Sequence, residues 1–395
     1  MTEPSPPYPP GRRRDLTLVS AGIGLDGGGR ALAGRLVARA AMEWATARGV
    51  RAQLLALGAP GDAPASALPQ GTGERTHCFG RSFARLAAAT LRAELSPRRP
   101  ALVFDLLGLA RSQTLLPSAW RTPYLVMLYG IEVWRPLEPG RKLALSGAAI
   151  RLAISRYTLS RARELHPGLS AEILPLALEE RPAEGRVDLS VVERTGEGFA
   201  LIVGRMASGE RYKGHDELLE ALPRVASQVA DARLVVAGGG DDRPRLEAKA
   251  ASLGVADRVL FTGFVSEATL AVLYDRAALL AMPSRGEGFG LVYLEAMRVG
   301  KVCLAARDTA AAEVVIDGET GLLVDPSDGE ELAAALARLL GEPETRRRMG
   351  AAGKIRWEQE FRYELFRDRL AGHLDRLTGR GSGERPQSIH ENPEP

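Results

Sequence analysis

The chain is poor in cysteine, histidine and aromatic residues, and each shortage removes a class of chemistry. Two cysteines in 395 residues, Cys78 and Cys303, cannot make a disulfide framework, so a reducing compartment is expected. Five histidines (His77, His166, His215, His373 and His390) lack ligand spacing and no CxxC accompanies them, so no metal site is expected. Aromatics at 5%, without basic residues interleaved, argue against a nucleic-acid partner. No apolar run approaches the roughly 18–20 residues of a membrane span. The longest, near Ala101–Ala110 and Ala277–Met282, are interrupted by Asp105 or ended by Pro283. The opening MTEPSPPYPPGRRR has no apolar core, so a secretory signal is not expected and a cytoplasmic location is.

What is present describes a soluble globular protein, with 45% hydrophobic and 26% charged residues. A length of 395 residues predicts two or three domains. The net charge of +3 conceals an asymmetry. Residues 1–195 hold 26 Lys/Arg against 17 Asp/Glu, a surplus of 9, while the remainder holds 26 against 32, a deficit of 6. One reading is solvated helix faces. The other is that the first half approaches an anionic membrane surface or lipid diphosphate, through Arg12–Arg14, Arg81, Arg85, Arg92, Arg98 and Arg99.

Both ends read as tails, residues 1–14 and 379–395, and Gly58–Glu74 reads as a loop. Between the tails, buried strands alternate with amphipathic helices. Strands are expected at Asp15–Ser20, Arg51–Leu57, Ala101–Asp105, Tyr124–Met127 and Ala149–Ile154, with helices at Arg30–Arg48 and Ser82–Glu94. A second run places strands at Phe199–Val203, Arg233–Ala237, Arg258–Phe261, Ala278–Met282 and Val302–Ala305. Helices near 214–228, 243–252, 267–275 and 290–299 separate them. Such alternation predicts an α/β chain of two Rossmann-like doubly wound parallel sheets. Glu179–Gly198 reads as the linker, and a last helix is expected over Trp357–Leu377.

Three loops carry candidate chemistry. Gly22-Ile23-Gly24-Leu25-Asp26-Gly27 follows a strand and opens a helix, satisfying GxGxxG, a turn that lets backbone N–H groups approach phosphate. A dinucleotide would need an acid about 20 residues later at the end of the second strand. That strand ends instead in Leu57-Gly58-Ala59-Pro60, which argues against dinucleotide binding. In the second half, Gly204-Arg205 ends a strand and Arg211-Tyr212-Lys213-Gly214 precedes a helix, so a planar fork and a point charge flank a strand edge. The third loop is Pro283-Ser284-Arg285-Gly286-Glu287-Gly288-Phe289-Gly290, which leads into a helix from Leu291. Its glycines admit a ligand to the backbone, and the helix start offers unpaired N–H groups to an anion. Glu295, inside that helix, needs polar partners if buried.

These segments carry a resemblance. VGR (203–205), RYKG (211–214), LVVAGGG (234–240), VLFTGFV (259–265), MPSRGEGFGLVYLEAM (282–297) and EVVIDGETGLLVDP (313–326) resemble the nucleotide-sugar half of glycosyltransferase family 4, retaining enzymes of the GT-B fold. YGIEVW (129–134), ISRYT (154–158) and ILPLAL (173–178) extend it more weakly over the first half. The resemblance implies two facing domains, 15–180 for the acceptor and 181–356 for the nucleotide sugar, with a crossover helix over 357–378 packing on the first.

It also implies roles. Arg205 and Lys213 would neutralise the leaving diphosphate together with N–H groups at Gly290–Leu291. Glu287 would hold hydroxyls of the transferred sugar, and Glu295 the nucleotide ribose. Gly22 and Gly24 would close on the diphosphate, Gly238, Phe264 and Val265 would border the base, and Tyr129 and Phe289 would add to the substrate site. No cofactor beyond the donor is expected, and the acceptor would be a glycan, a lipid-linked sugar or a small molecule. Two departures stand out: Tyr129 where the family often has His, and Ala310-Ala311-Ala312 where a Gly pair is usual. A nucleotide-sugar 2-epimerase and an inactive partner subunit are the competing readings.

Overall fold

The computed structural model describes residues 14–22, 28–58, 75–180, 183 and 185–380. From the N-terminus the elements are β1 (Leu16–Ser20), α1 (Gly28–Ala47), β2 (Ala52–Ala56), β3 (Thr76–Cys78), α2 (Phe83–Glu94) and β4 (Ala101–Phe104). There follow β5 (Tyr124–Leu128), α3 (Gly130–Val133), α4 (Pro139–Gly147), β6 (Ile150–Ala153), α5 (Arg156–Leu165) and β7 (Glu172–Ile173). The second run is α6 (Leu189–Thr195), β8 (Ala200–Val203), α7 (His215–Gln228), β9 (Leu234–Ala237), α8 (Arg243–Ser252), β10 (Val259–Gly263), α9 (Glu267–Arg276) and β11 (Leu279–Met282). The chain ends with α10 (Leu291–Arg298), β12 (Val302–Ala306), α11 (Ala311–Val314), β13 (Gly321–Val324), α12 (Gly329–Gly341), α13 (Pro343–Glu360) and α14 (Tyr363–Leu377).

These elements form two compact units. Among the described residues, unit 1 runs to Ile154, resumes over Thr158–Pro175 and takes in the chain from Glu364; unit 2 holds Ser155–Tyr157 and Leu176–Tyr363. Unit 1 is built on a parallel sheet of order β3-β2-β1-β4-β5-β6-β7, and unit 2 on one of order β10-β9-β8-β11-β12-β13. Segments such as LTLVS, ALVF and YLVML are buried at every position, the signature of strands covered on both faces. In each sheet the strand order reverses once, between β1 and β4 and between β8 and β11. The carboxyl ends of strands at such a switch point bound the crevice where open α/β sheets take ligands.

Three expectations need correction. The Glu179–Gly198 stretch is not wholly a linker, because Asp188 caps α6 by accepting from the Ser190 and Val191 amides. The last helix does not run unbroken from Trp357. The chain turns at Phe361, which is buried and accepts from the Leu178 amide at 3.1 Å, so Trp357 belongs to α13 in unit 2. The tails are shorter than expected, since Arg14 and Arg380 are held together by an Arg380-to-Arg14 carbonyl bond of 2.6 Å. The rest of both tails, and residues 59–74 of the expected loop, lie outside the described residues.

Within unit 1, α14 buries Phe366, Leu370 and Leu374, one helical face. Asp375 accepts from Trp44 Nε1 at 3.1 Å and pairs with Arg48 at 2.7 Å, while Arg376 pairs with Glu172 at 2.7 Å. The terminal helix is thereby tied to α1 and β7.

Candidate active site

The unit 2 switch point gathers charge of both signs. Lys213 precedes α7 and Glu287 lies in the loop after β11; the two form an ion pair at 3.5 Å with only 16% and 15% of their side chains exposed. At that length the pair lacks a hydrogen bond, and Glu287 Oε1 is buried without a partner. Around them, His215 Nε2 and Glu217 Oε2 are likewise buried without partners. Burial and the neighbouring Lys213 push the His215 imidazole down to about 4, so it is neutral at pH 7. Arg205, after β8, is mostly exposed and its guanidinium pairs with Glu210.

Two glycine–tyrosine contacts shape the loop that carries Glu287. A Cβ on Gly286 would sit 2.6 Å from the Tyr212 ring, and the Arg285 amide donates to the Tyr212 carbonyl at 2.8 Å. Gly290 has φ +90 and lies against Tyr293, whose hydroxyl donates to the Met282 carbonyl at 2.7 Å. The Arg285 side chain pairs with Glu217, and the Ala310 amide donates to the Glu287 carbonyl at 3.4 Å. The loop is therefore tied to the Tyr212–Lys213 segment, to α7 and to the start of α11. No side chain caps α10 behind Gly290, so the first amides, at Leu291 and Val292, remain directed outward from the helix end.

The segment Ser208–Lys213 is braced from the other side. Asp242 takes Arg211 at 2.8 and 3.1 Å and Arg245 at 2.6 and 2.9 Å, and Arg245 also holds both oxygens of Asp216 at 2.7 Å. Arg245 and Arg211 hold the Asp242 carboxyl down at about 2, and Arg245 with Lys249 pushes Asp216 well below the usual range.

Other expected residues fall in different settings. Glu295 has a protein partner, accepting from the Tyr274 hydroxyl at 2.7 Å, and burial raises its carboxyl. Phe289 is buried edge-to-face against Phe361, with ring centroids 6.0 Å apart, so its ring packs the loop and is not offered to a ligand. Gly238 and Gly263 are bridged at the ends of β9 and β10, and Phe264 beyond them is 79% exposed, with Val265 half-buried beside it. Glu313 accepts from the Arg156 and Tyr157 amides at 3.0 and 2.6 Å, while the Ser155 hydroxyl donates to the Gly288 carbonyl at 2.8 Å.

Gly22 and Tyr129 lie in unit 1, at the ends of β1 and β5; Gly24 lies outside the described residues. The Tyr129 hydroxyl is buried without a partner. His215, Glu217 and Arg285 were missed. Their only signal is adjacency to RYKG and to the glycine-rich loop, because their pairing is spatial.

The matched family model is that of the glycosyl transferases group 1, over residues 190–356, which encloses Arg205, Lys213, Glu287 and Glu295. A GDP-mannose-dependent alpha-(1-6)-phosphatidylinositol monomannoside mannosyltransferase of Mycolicibacterium smegmatis is 34% identical over 269 residues, 62% of this chain and 69% of that protein. The chain belongs to the group 1 glycosyl transferases. An alpha-D-kanosaminyltransferase of Streptomyces kanamyceticus is 33% identical over 49% of each chain. Among solved structures, sucrose-phosphate synthase from Thermosynechococcus elongatus has a TM-score of 0.73 at 21% identity, covering 92% of this chain and 99% of its own. HepE of Anabaena, in complex with UDP and glucose, has a TM-score of 0.72 at 18% identity, covering 92% and 100%. These neighbours establish the glycosyltransferase GT-B fold.

Proposed function

We propose that this group 1 glycosyl transferase is a retaining, metal-independent member of family 4. It would move a hexosyl unit from a nucleotide diphosphate sugar to a lipid-linked sugar, glycan or small-molecule acceptor in envelope or exopolysaccharide synthesis. The observation that carries this reading is Lys213 against Glu287 at the unit 2 switch point, with one Glu287 oxygen buried and unsatisfied. A buried acceptor without a donor is a place for a ligand hydroxyl. Lys213, the outward amides of α10 and, after release from Glu210, Arg205 would meet the diphosphate. Negative charge grows on that leaving group as the glycosidic bond breaks, and fixed cations and amides there lower the barrier. The departing phosphate can take the acceptor proton, so retention by this route requires no protein nucleophile.

Glu287 would orient the sugar through its hydroxyls, and Glu295, whose second oxygen is not used by Tyr274, would hold the ribose. The exposed Phe264 ring with Gly238 and Val265 would border the base. The names of the relatives, a GDP-mannose-dependent phosphatidylinositol monomannoside mannosyltransferase and a kanosaminyltransferase, support a donor of this class and a hydroxyl acceptor.

The test is incubation with GDP-, UDP- and ADP-sugars, with and without membrane extract, following nucleotide release and the anomer formed. Acceptor-dependent release with an α-linked product from an α-linked donor supports the reading; epimerisation with the nucleotide retained sinks it.

A cytoplasmic, peripheral membrane location is part of the same proposal. No helix among the described residues is long and apolar enough to cross a membrane. Arg81, Arg85, Arg92 and Arg98 are exposed in unit 1, together with Phe83, Leu95, Leu115 and Trp120. Arg99 is committed to the Trp120 carbonyl and Arg14 to the Arg99 carbonyl, while Arg12 and Arg13 lie outside the described residues. Vesicles with anionic lipid should bind the protein at low salt and release it at high salt. Equal binding to neutral vesicles would leave the arginines as a solvated surface.

A further inference from the structure

The switch point of unit 1 contains a carboxylate that the proposed chemistry does not use. Asp105 follows β4 and reaches across to the end of β1. Its Oδ1 accepts from the Ala21 amide at 2.9 Å and its Oδ2 from the Ser20 hydroxyl. Ser20 Oγ in turn accepts from the Gly22 amide at 3.2 Å. A second acid repeats the arrangement one strand further on: Glu132, in α3 after β5, accepts from the Tyr129 amide at 3.1 Å and from the Leu107 amide beyond β4 at 3.2 Å. Each acid thus fastens the loop of the neighbouring strand, β5 to β4 and β4 to β1. Helix α1 closes the back. A Cβ on Gly34 would lie 2.9 Å from the Gly22 carbonyl and 3.0 Å from Asp105 Oδ2.

We propose that Asp105 is a positioning residue for sugar transfer, whose carboxylate, and not its carboxylic acid, holds the Ser20–Gly22 turn in the form the substrate meets. Both groups bonded to Asp105 are donors, so the anion accepts from both, whereas the acid protonated at Oδ2 keeps only the Ala21 bond as it stands. Protonating Oδ2 would set a new donor against a hydroxyl that already donates, so the Ser20 hydroxyl would have to turn its proton away and Ser20 Oγ would be shared between the Asp105 acid and the Gly22 amide. The groups facing Asp105 are Ser20 and Ala21 from β1, Arg30 from α1, Tyr129 from the end of β5 and Glu132 from α3. Arg30 favours the charged form; Tyr129 and Glu132 offer no positive charge. Burial dominates and raises the Asp105 carboxyl to about 6, which places the switch between its two forms just below neutral pH.

The kinetic part of this proposal rests on the transferase reading, so the first measurement is independent of it. Hydrogen exchange at the Ala21 and Gly22 amides of the full chain, corrected for intrinsic exchange, is followed from pH 8 to pH 5. The wild type should lose roughly tenfold or more of its protection with a midpoint near the Asp105 value, and Asp105→Asn should show the same protection at both ends. Ser20→Ala, which removes a bond to the anion, should move the midpoint upward and keeps the question open to decision if the Asn variant does not fold. With the donor that turns over, kcat should fall below the same midpoint in the wild type and be lower but flat in Asp105→Asn. A wild-type exchange profile that does not change between pH 8 and pH 5 overturns the proposal. Intact exchange behaviour in a protein that turns over no nucleotide sugar would instead overturn the transferase reading.

Discussion

The two switch points share a topology and oppose each other in charge. In unit 2, acids meet cations: Asp242 is held low by Arg245 and Arg211, Asp216 by Arg245 and Lys249, and Glu287 faces Lys213. In unit 1, acids meet backbone amides, and burial wins over those bonds, raising Asp105 to about 6 and Glu132 to about 8. One repeat of the fold thus sets its acids against cations, and the other buries them as reluctant anions. The crevice belongs to the fold, whereas its chemistry belongs to a handful of side chains. Under the proposed function, unit 2 would take the diphosphate and unit 1 a neutral, hydroxyl-bearing acceptor.

The largest expected effect that would break this comparison is on turnover. Glu287→Gln should lower turnover roughly 100-fold or more, as loss of one preorganised polar group at a reacting centre does, while the melting temperature stays within a few degrees. Steady-state nucleotide release and a thermal melt check both halves. An unaffected rate would remove Glu287 from the sugar site.

The next effect is on stability against pH. Asp105 has a folded value of about 6 against roughly 3.9 unfolded, so its favourable contribution is complete below about pH 4 and lost as pH rises through 6, roughly 3 kcal/mol in all. Glu132 extends that loss through about pH 8. Asp216 and Asp242 have the opposite sign: their lowered values stabilise above the unfolded carboxylate range, and this is lost as pH falls through the folded values near 2 and below. Urea melts of the full chain at pH 4 and pH 8.5 should therefore show unit 1 weaker at the higher pH with unit 2 scarcely moved, and melts taken from pH 4 down to pH 2 should show unit 2 losing stability. Asp105→Asn should reduce the movement of unit 1 and leave the part that Glu132 contributes.

A smaller effect comes from backbone crowding. Gly34→Ala must displace the Gly22 carbonyl or Asp105, at a cost of about 1–3 kcal/mol, and should lower turnover while keeping the acid limb, because no titrating group is removed. Unfolding midpoints and a pH–rate profile read the two consequences. The smallest effect is Asp375→Asn, which weakens the Trp44 and Arg48 ties and should cost about 1 kcal/mol with no change in kcat. A kinetic effect there would give α14 a role beyond fastening unit 1.

How much of this was legible follows from where the information lies. Strands buried on both faces read directly as apolar runs, so β1, β4, β5 and most of the second sheet stood out. The edge strand β3 is only Thr-His-Cys and β7 only Glu-Ile, too short and polar to show. The break at Phe361 has no Gly or Pro to mark it, because the turn is made by burying a ring and accepting a bond from Leu178. The glycine-rich loop with Glu287 was legible because glycine and acid together in a strand-to-helix turn are informative locally. The Glu217–Arg285 pair and the neutral His215 were not, since nothing in their spacing shows that they meet. Asp105 was visible only as an interruption of an apolar run. Its reach across to Ser20 is a property of the β1–β4 pairing, 85 residues apart in the chain.

The measurement that bears most directly on the account is nucleotide release by Lys213→Ala beside the wild type, with the donor sugar that raises the wild-type melting temperature. Lys213 is largely buried against Glu287 at the switch point of unit 2, with its ammonium 5.6 Å from the centre of the Tyr212 ring. The account predicts a fall in kcat of roughly 100-fold or more with a folded protein and weakened but measurable donor binding. Turnover near the wild-type rate in that variant would contradict it.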